Sequence, residues 1–488
     1  MEGAGLFMLL SVALIMIATG LPSWMVLVGV ALFFSVAGAL LGAFPVALLT
    51  ALPSRIVGLL EHDLLQALPL YVFMGALLHR LPLADTLFRV FARILRPTPA
   101  AAPLSGLALS VLLAPMSGST GASAAMLTRI VQPKLIAGGA GVAKSAALSC
   151  VASTLGVVIP PSLVLILLGD AILRAHTEAM NIAGRGTAQR IINTQDVFHG
   201  AMIPAAILLA LCALVTWFTN RQAPAQPMKF ASVSRRDMVV AMITTTVIAS
   251  LLTAVALGRL YAVEAAASGG VALVLYGLIS GGFTRESWRN VLRDTMSVTG
   301  ALFALLIAAT VFTLVVRAFG TDRWIAAWLA GFGGQQVLIL TVVLAALAGA
   351  ALILDAFEMI FVVIPLLLPP LLVQVPDAVW VSVLTLLILQ LSFMVPPFGY
   401  AVMVVRNLTP QPLAVRELAR SLAPYVVAQL LVLAVVLAFP QMLWREDVIP
   451  ATIRETPTTD GEVREMLNRQ LNQEKEAEEK QPDQAKKE

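Results

Sequence analysis

A helix that crosses a bilayer needs about 20 mainly apolar residues, and this chain meets that requirement repeatedly. Candidate spans run over 5–19, 24–43, 64–79, 104–116, 198–219, 238–257, 262–280, 296–318, 336–354, 377–391 and 421–443. Charge is correspondingly scarce. Asp, Glu, Lys and Arg make up 12% of the 488 residues, against 59% apolar and a mean hydropathy of +0.89. A water-soluble domain carries about a quarter of its residues charged, so lipid must be the solvent for most of this surface. A soluble enzyme, a disordered protein and a nucleic-acid binder are excluded on that ground. The two cysteines, Cys150 and Cys212, lie in apolar stretches and form neither a disulfide framework nor a metal-binding pair. No positive charge precedes 5–19 and a second apolar run follows at once, so both read as retained spans rather than a cleaved leader.

Basic clusters at Arg80–Arg96, Arg221–Arg236 and Arg285–Arg293 flank predicted spans and read as cytoplasmic. The polar stretch 170–199 reads as an extracytoplasmic loop. From Arg445 onward the chain carries 8 basic and 12 acidic residues and almost nothing apolar after Leu471. Such a segment buries too little surface to fold alone, so 445–488 is expected to be a disordered tail. Residues 1–444 then form the membrane body, about 9% charged with a net +8.

Four apolar runs are short or interrupted: 117–132, 145–169, 356–374 and 395–405. Backbone that leaves a helix at membrane depth survives only where protein buries it or where it lines a wet cavity. These runs are therefore where a site belongs. They also repeat. A shift of 236 places Pro160–Pro161 on Pro396–Pro397, Pro133 on Pro369 and Ser119 on Asp355. Two related halves are expected, roughly 50–220 and 285–444, joined by connector helices over 221–284. Sequence spacing alone leaves the relative orientation of the halves open.

The first constellation is M-S-G-S-T-G-A-S, with Ser117, Ser119 and Thr120. Glycine permits a turn and the hydroxyls offer oxygen ligands without buried charge. Close helix packing by small residues is the competing explanation. The second is A-S-T-L-G-V-V-I-P-P-S, with Ser153, Thr154, Gly156, Pro160, Pro161 and Ser162. The prolines exclude a regular helix, freeing carbonyls for a cation while the next half-helix aims N–H groups at an anion; a simple kink is the alternative. The third is L-D-A-F-E-M-I, where Asp355 and Glu358 are the only acids in some fifty apolar residues. Buried carboxylates must pair, bind a cation or be protonated, or else cap a half-helix. The fourth, Q-L-S-F-M-V-P-P-F-G, holds Gln390, Ser392, Pro396, Pro397 and Gly399 and repeats the logic of the second. Glu264 reads as a first-turn acid complementing its helix dipole.

Together these stretches resemble the large membrane (permease) subunit of tripartite ATP-independent periplasmic (TRAP) transporters, the DctM-like family. The likeness runs through L-P-L-Y-V-F-M-G (Leu68–Gly75), S-T-L-G-V-V-I-P-P-S with L-L-G-D (Ser153–Asp170), L-D-A-F-E-M-I-F-V-V-I-P-L (Leu354–Leu366) and Q-L-S-F-M-V-P-P-F-G (Gln390–Gly399). One departure is Ala262-Val263-Glu264-Ala265, where the family usually reads T-P-T-E-A. The resemblance implies an all-α polytopic membrane protein of two structurally related, inverted repeats with re-entrant helical hairpins, an elevator-type transporter of the ion-transporter kind. It further implies import of an organic acid across the bacterial cytoplasmic membrane, driven by sodium and fed by a periplasmic substrate-binding protein. No cofactor is implied beyond sodium as coupling ion. A small four-helix membrane subunit is expected as a separate chain. Ser119, Ser153, Gly156, Asp355 and Pro396 are the implied sodium ligands, and the solute would sit between the hairpin tips.

Two other functions compete. One is a stand-alone anion permease that needs no binding protein. The other is an intramembrane aspartyl protease using Asp170 and Asp355, whose flanking residues lack the Tyr-Asp and Gly-x-Gly-Asp forms such a site requires.

Overall fold

The computed structural model describes residues 3–42, 44–61, 63–117, 119–160, 162–183, 192–221 and 233–443, apart from the side chains of Val46, Asp63, Leu64 and Ser117. Pro161 and the tail 445–488 lie outside that set. All regular structure among the described residues is helical.

The chain opens with α1 (Ala4–Thr19), α2 (Ser23–Leu40) and the short α3 (Leu52–Leu60). A first series follows: α4 (Asp63–Arg80), α5 (Leu83–Ile94), α6 (Ala101–Leu113), α7 (Thr120–Ile130), α8 (Gln132–Ala137), α9 (Val142–Val158), α10 (Leu163–Ile182) and α11 (Thr194–Asn220). Two connector helices, α12 (Arg235–Ala256) and α13 (Ala262–Ile279), lead to a second series. It comprises α14 (Arg285–Ala318), α15 (Thr321–Ala330), α16 (Gln336–Ala350), α17 (Ala356–Glu358), α18 (Ile364–Gln374), α19 (Ala378–Met394), α20 (Tyr400–Leu408) and α21 (Val415–Ala438). A π turn, Met359–Val363, joins α17 to α18 without a break.

Helix boundaries recur at the offset of 236. Moved by that amount, α9 covers the residues of α19, α7 begins where α17 begins, and α10 begins one residue before α20. Among the described residues seven helices are long and apolar enough to cross a bilayer, or nine if two pairs bent by 54° and 42° each count as one span. The 42° bend separates α9 from α10, at Pro160.

Burial sorts these helices into an inside and an outside. From Ser145 to Val158 every residue of α9 is buried, and α19 is nearly as enclosed. Large apolar side chains are exposed along α1, α2, α12 and α13, as with Phe7, Phe33, Met242 and Leu278. Those outward faces are the lipid-facing surface expected of multi-pass helices. Helix starts are written locally in the sequence. Ser119, Ser162, Ser234, Thr284 and Asp377 each accept a backbone N–H two to three residues on, the ordinary cap for orphan donors. Glu264 accepts the Tyr261 N–H at 2.9 Å, a first-turn cap as expected.

Two sequence expectations change. Residues 170–182 belong to α10 rather than to a loop; Arg174 pairs with Asp170 one turn back at 3.0 Å, and Glu178 has a partner in another helix. The run 356–374 is helical throughout, although Pro369 and Pro370 sit inside α18. Pro369 cannot supply the N–H that the Pro365 carbonyl would otherwise receive. Arg317, in the last turn of α14, supplies it instead: its Nη2 donates to Pro365 O at 2.8 Å, and the guanidinium pairs with Glu178 at 2.7 Å. One side chain thereby ties α14 to α10 and α18.

Charge-assisted hydrogen bonds contribute about 1.5–3 kcal/mol, so Arg317→Ala should destabilise the purified protein by roughly that amount. Adding Pro369→Ala restores a backbone donor and should recover part of the lost thermal midpoint. A thermal scan in detergent that shows no recovery would remove the missing-donor explanation.

Candidate functional site

The first hairpin tip forms because α6 ends at Leu113, just before Pro115, and because Ser119, in extended conformation, caps α7 by accepting the Ala122 N–H at 3.1 Å. The neighbouring break forms at the end of α9. There Ser162 caps α10 through the Leu165 N–H at 3.1 Å and donates to the Val157 carbonyl, also at 3.1 Å. Gly156 lets the two meet. A Cβ at that position would lie 2.8 Å from the Ala114 carbonyl carbon and 2.9 Å from its oxygen, so α9 and the end of α6 touch backbone to backbone.

Between them lies a cavity of about 10 Å³ to which Ser119, Thr120, Ser123, Ser153, Gly156 and Ser162 contribute, its remaining wall being apolar and formed by Ala114, Pro115, Val157, Leu163 and Val164. That is room for about one water-sized sphere. The first six all come from the motifs singled out in the sequence, although Ser123, one turn beyond Thr120 on α7, was not named there as a ligand. The Thr120 hydroxyl is buried without a hydrogen-bond partner among the described residues. A buried hydroxyl oxygen left over in a small, partly oxygen-lined cavity suits a desolvated monovalent cation or a water. Thr154 looks away, donating to the Val151 carbonyl at 2.9 Å.

In the second half Asp355 caps α17. It accepts the N–H groups of Phe357 at 2.9 Å and Glu358 at 3.0 Å, while Glu358 accepts the Asp355 N–H at 3.1 Å. This is a full capping box. The match of Ser119 with Asp355 at offset 236 therefore has a structural meaning: each is the N-cap of the helix that leaves a hairpin tip. Gly399 sits where a Cβ would come within 2.6 Å of the Phe393 carbonyl oxygen. Ser392 donates to Ile388 O at 2.9 Å and approaches Ala348 O of α16 at 3.3 Å, the counterpart of the contact made by Gly156. The Pro396–Pro397 peptide is cis.

The two halves interlock. Tyr400, first residue of α20, lies against Gly121 at the first tip, and the Cys150 thiol of α9 approaches the Ala401 carbonyl at 3.8 Å. Gln132 donates to Thr409 at 3.1 Å. The starts of α7 and α10 thus share the first cavity, and the start of α20 lies against the first turn of α7. Gln390 is not part of this arrangement. Fully buried in α19, it accepts from Gln429 of α21 at 3.3 Å. The residues expected to hold sodium are also divided: Ser119, Ser153 and Gly156 line the first cavity, whereas Asp355 and Pro396 belong to the second tip and break. Nothing is described of the Ser117 side chain or of Pro161. Among the described residues no cluster of three or more His, Cys, Asp or Glu could hold a metal ion.

An all-helical, multi-pass chain whose helices stop and restart in pairs around a small polar cavity has the architecture of a secondary transporter. The same fold is seen in the YdaH transporter of Alcanivorax borkumensis, at a TM-score of 0.54 and 17% identity over 82% of this chain and 89% of that one. Residues 10–442 match the family described as the tripartite ATP-independent periplasmic transporter, DctM component, and the chain belongs to it. Relatives include the C4-dicarboxylate TRAP transporter large permease protein DctM of Rhodobacter capsulatus, 21% identical over 78% of this chain and 86% of that one. The sialic acid TRAP transporter large permease protein SiaM of Vibrio cholerae is 22% identical over 79% and 87%. The chain is accordingly a multi-pass inner-membrane permease subunit of a secondary transporter that works with a binding protein, and not an enzyme. Asp170 and Asp355, paired respectively with Arg174 and with a helix start, serve no proteolytic dyad.

Because an added methyl at Gly156 meets backbone rather than a movable side chain, Gly156→Ala should cost about 1–3 kcal/mol. Detergent-solubilised protein should show a lowered thermal midpoint, whereas Gly141→Ala, where a Cβ meets nothing within 4 Å, should not.

Proposed function

We propose that this subunit imports an organic acid anion, coupled to the sodium gradient, by an elevator motion. The observation that carries the reading is the small cavity, with its buried Thr120 hydroxyl, between the starts of α7 and α10. A small cavity of neutral hydroxyls and freed carbonyls favours a monovalent cation over a divalent one. Aligned N–H groups at half-helix starts favour a carboxylate or sulfonate. The solutes named for relatives are of that kind: a C4-dicarboxylate, sialic acid and, for the fused DctMQ permease of Oleidesulfovibrio alaskensis, isethionate.

The halves roughly 50–220 and 285–444, with 221–284 as connector, form related and inverted repeats in this reading. The enclosed broken helices move as a unit against the lipid-facing α1, α2, α12 and α13. One sodium ion occupies the cavity of Ser119, Ser153 and Gly156. A second lies beside Asp355 and the Pro396 carbonyl, at the positions related by the repeat. A separate small membrane subunit and a periplasmic binding protein complete the system, as the fused relative supports for the small subunit.

Proteoliposomes holding the chain with its small subunit, given binding protein and labelled succinate, sialic acid or isethionate, should accumulate one of these acids at least about tenfold more with an inward sodium gradient. Uptake indifferent to sodium or to the binding protein would overturn the reading. Asp355→Asn separates charge from capping, since Asn and Asp cap about equally. It should leave the thermal midpoint nearly unchanged and raise the half-saturating sodium concentration about tenfold. An unchanged sodium response would leave Asp355 as a cap alone.

A further inference from the structure

At the offset of 236 the counterpart of Val164 is Tyr400. Val164 lines the first cavity, so the second half places a phenol where the first has an isopropyl group. The Tyr400 ring packs edge-on against Phe393, centroids 6.5 Å apart. Its hydroxyl end rests over Gly121: a Cβ there would come within 2.8 Å of the phenol oxygen. Asp355 and Glu358, which open the second hairpin, lie within electrostatic reach of the same phenol. Tyr400 therefore touches the first hairpin tip and begins the half-helix that follows the second break. It nonetheless keeps 36% of its surface exposed, and among the described residues its hydroxyl makes no hydrogen bond. A tyrosine packed into protein usually satisfies its O–H within it. Here the hydroxyl instead lies against Gly121 at the first tip.

We propose that Tyr400 contacts the solute, its hydroxyl donating a hydrogen bond to the carboxylate or sulfonate of the transported acid. This rests on the organic-anion reading and adds to it the residue that orients the acid. Two carboxylates nearby would repel an anion, so an uncharged donor close to the half-helix starts is what admits one beside them. Gly121 sets the position of that donor, because any side chain there would push the phenol aside.

Two measurements test the proposal. Cys150 and Cys212 are buried, so thiol labelling of Tyr400→Cys in native membranes has a low background. The anionic reagent 2-sulfonatoethyl methanethiosulfonate should modify Y400C at least about fivefold faster, relative to its trimethylammonium analogue, than the two reagents modify free cysteine. No reaction from either side of the membrane, or no preference for the anion, overturns the placement in an anion pathway whether or not an acid has been found. With the acid that wild-type proteoliposomes take up, Tyr400→Phe should raise KM about tenfold and leave kcat within about twofold. Gly121→Ala should raise KM in the same direction, and the double variant should be no worse than Tyr400→Phe alone. An unchanged KM in Tyr400→Phe overturns the hydrogen bond. Absence of uptake by wild type counts against the transport reading instead, leaving the labelling result to decide the placement.

Discussion

A peptide group that leaves a helix at membrane depth has no water to bond with, and this chain makes such departures at Pro115, Pro160, Leu354 and Pro396. Each must be enclosed by protein. The solution is to pack the departures against one another, with α9 and α19 fully buried behind them and the hydroxyls and carboxylates of the next residues taking up the loose donors. Ser119, Ser162 and Asp355 are first of all the caps that let a helix restart in lipid. Ser119 and Ser162 meet at one small cavity as a consequence of that need, and the proposed transport site is built on it.

The repeat makes the two halves similar in backbone and different in chemistry. At the offset of 236 Ser119 corresponds to Asp355, Gly156 to Ser392, and Val164 to Tyr400. The first half thus offers a small cavity of neutral oxygens, and the second a paired carboxylate box with a phenol beside it. One repeated backbone thus carries two different sets of polar groups, since a cation needs oxygens and an anion needs N–H or O–H donors. Around this centre, ion pairs connect elements that would otherwise meet only through apolar contact. Arg80 reaches Asp294 at 2.8 Å, and Lys134 pairs with Asp85 of α5.

Much of this was legible in the amino-acid sequence because its causes are local. Apolar run lengths located the spans, prolines located the breaks, and the offset of 236 was readable from proline pairs before any helix was seen. Where the reading slipped, a distant partner was responsible. Residues 170–182 looked too polar for a helix because Glu178 is matched by Arg317, 139 positions away. Pro369 and Pro370 looked like a break because the donor that replaces theirs comes from α14. Gln390 looked like a site residue because its partner, Gln429, lies on another helix.

The sequence by itself determined that this chain lives in lipid, where its helices stop, and which polar residues stand at the stops, since hydrophobicity and proline geometry act over a few residues. Only the tertiary structure decided which stops face one another. It put Gly156 against Ala114 and Tyr400 over Gly121, and it turned Asp355 and Glu358 toward helix starts. Those choices depend on which backbones can approach closely enough to exclude lipid, and that is a property of packed pairs of segments rather than of any one of them.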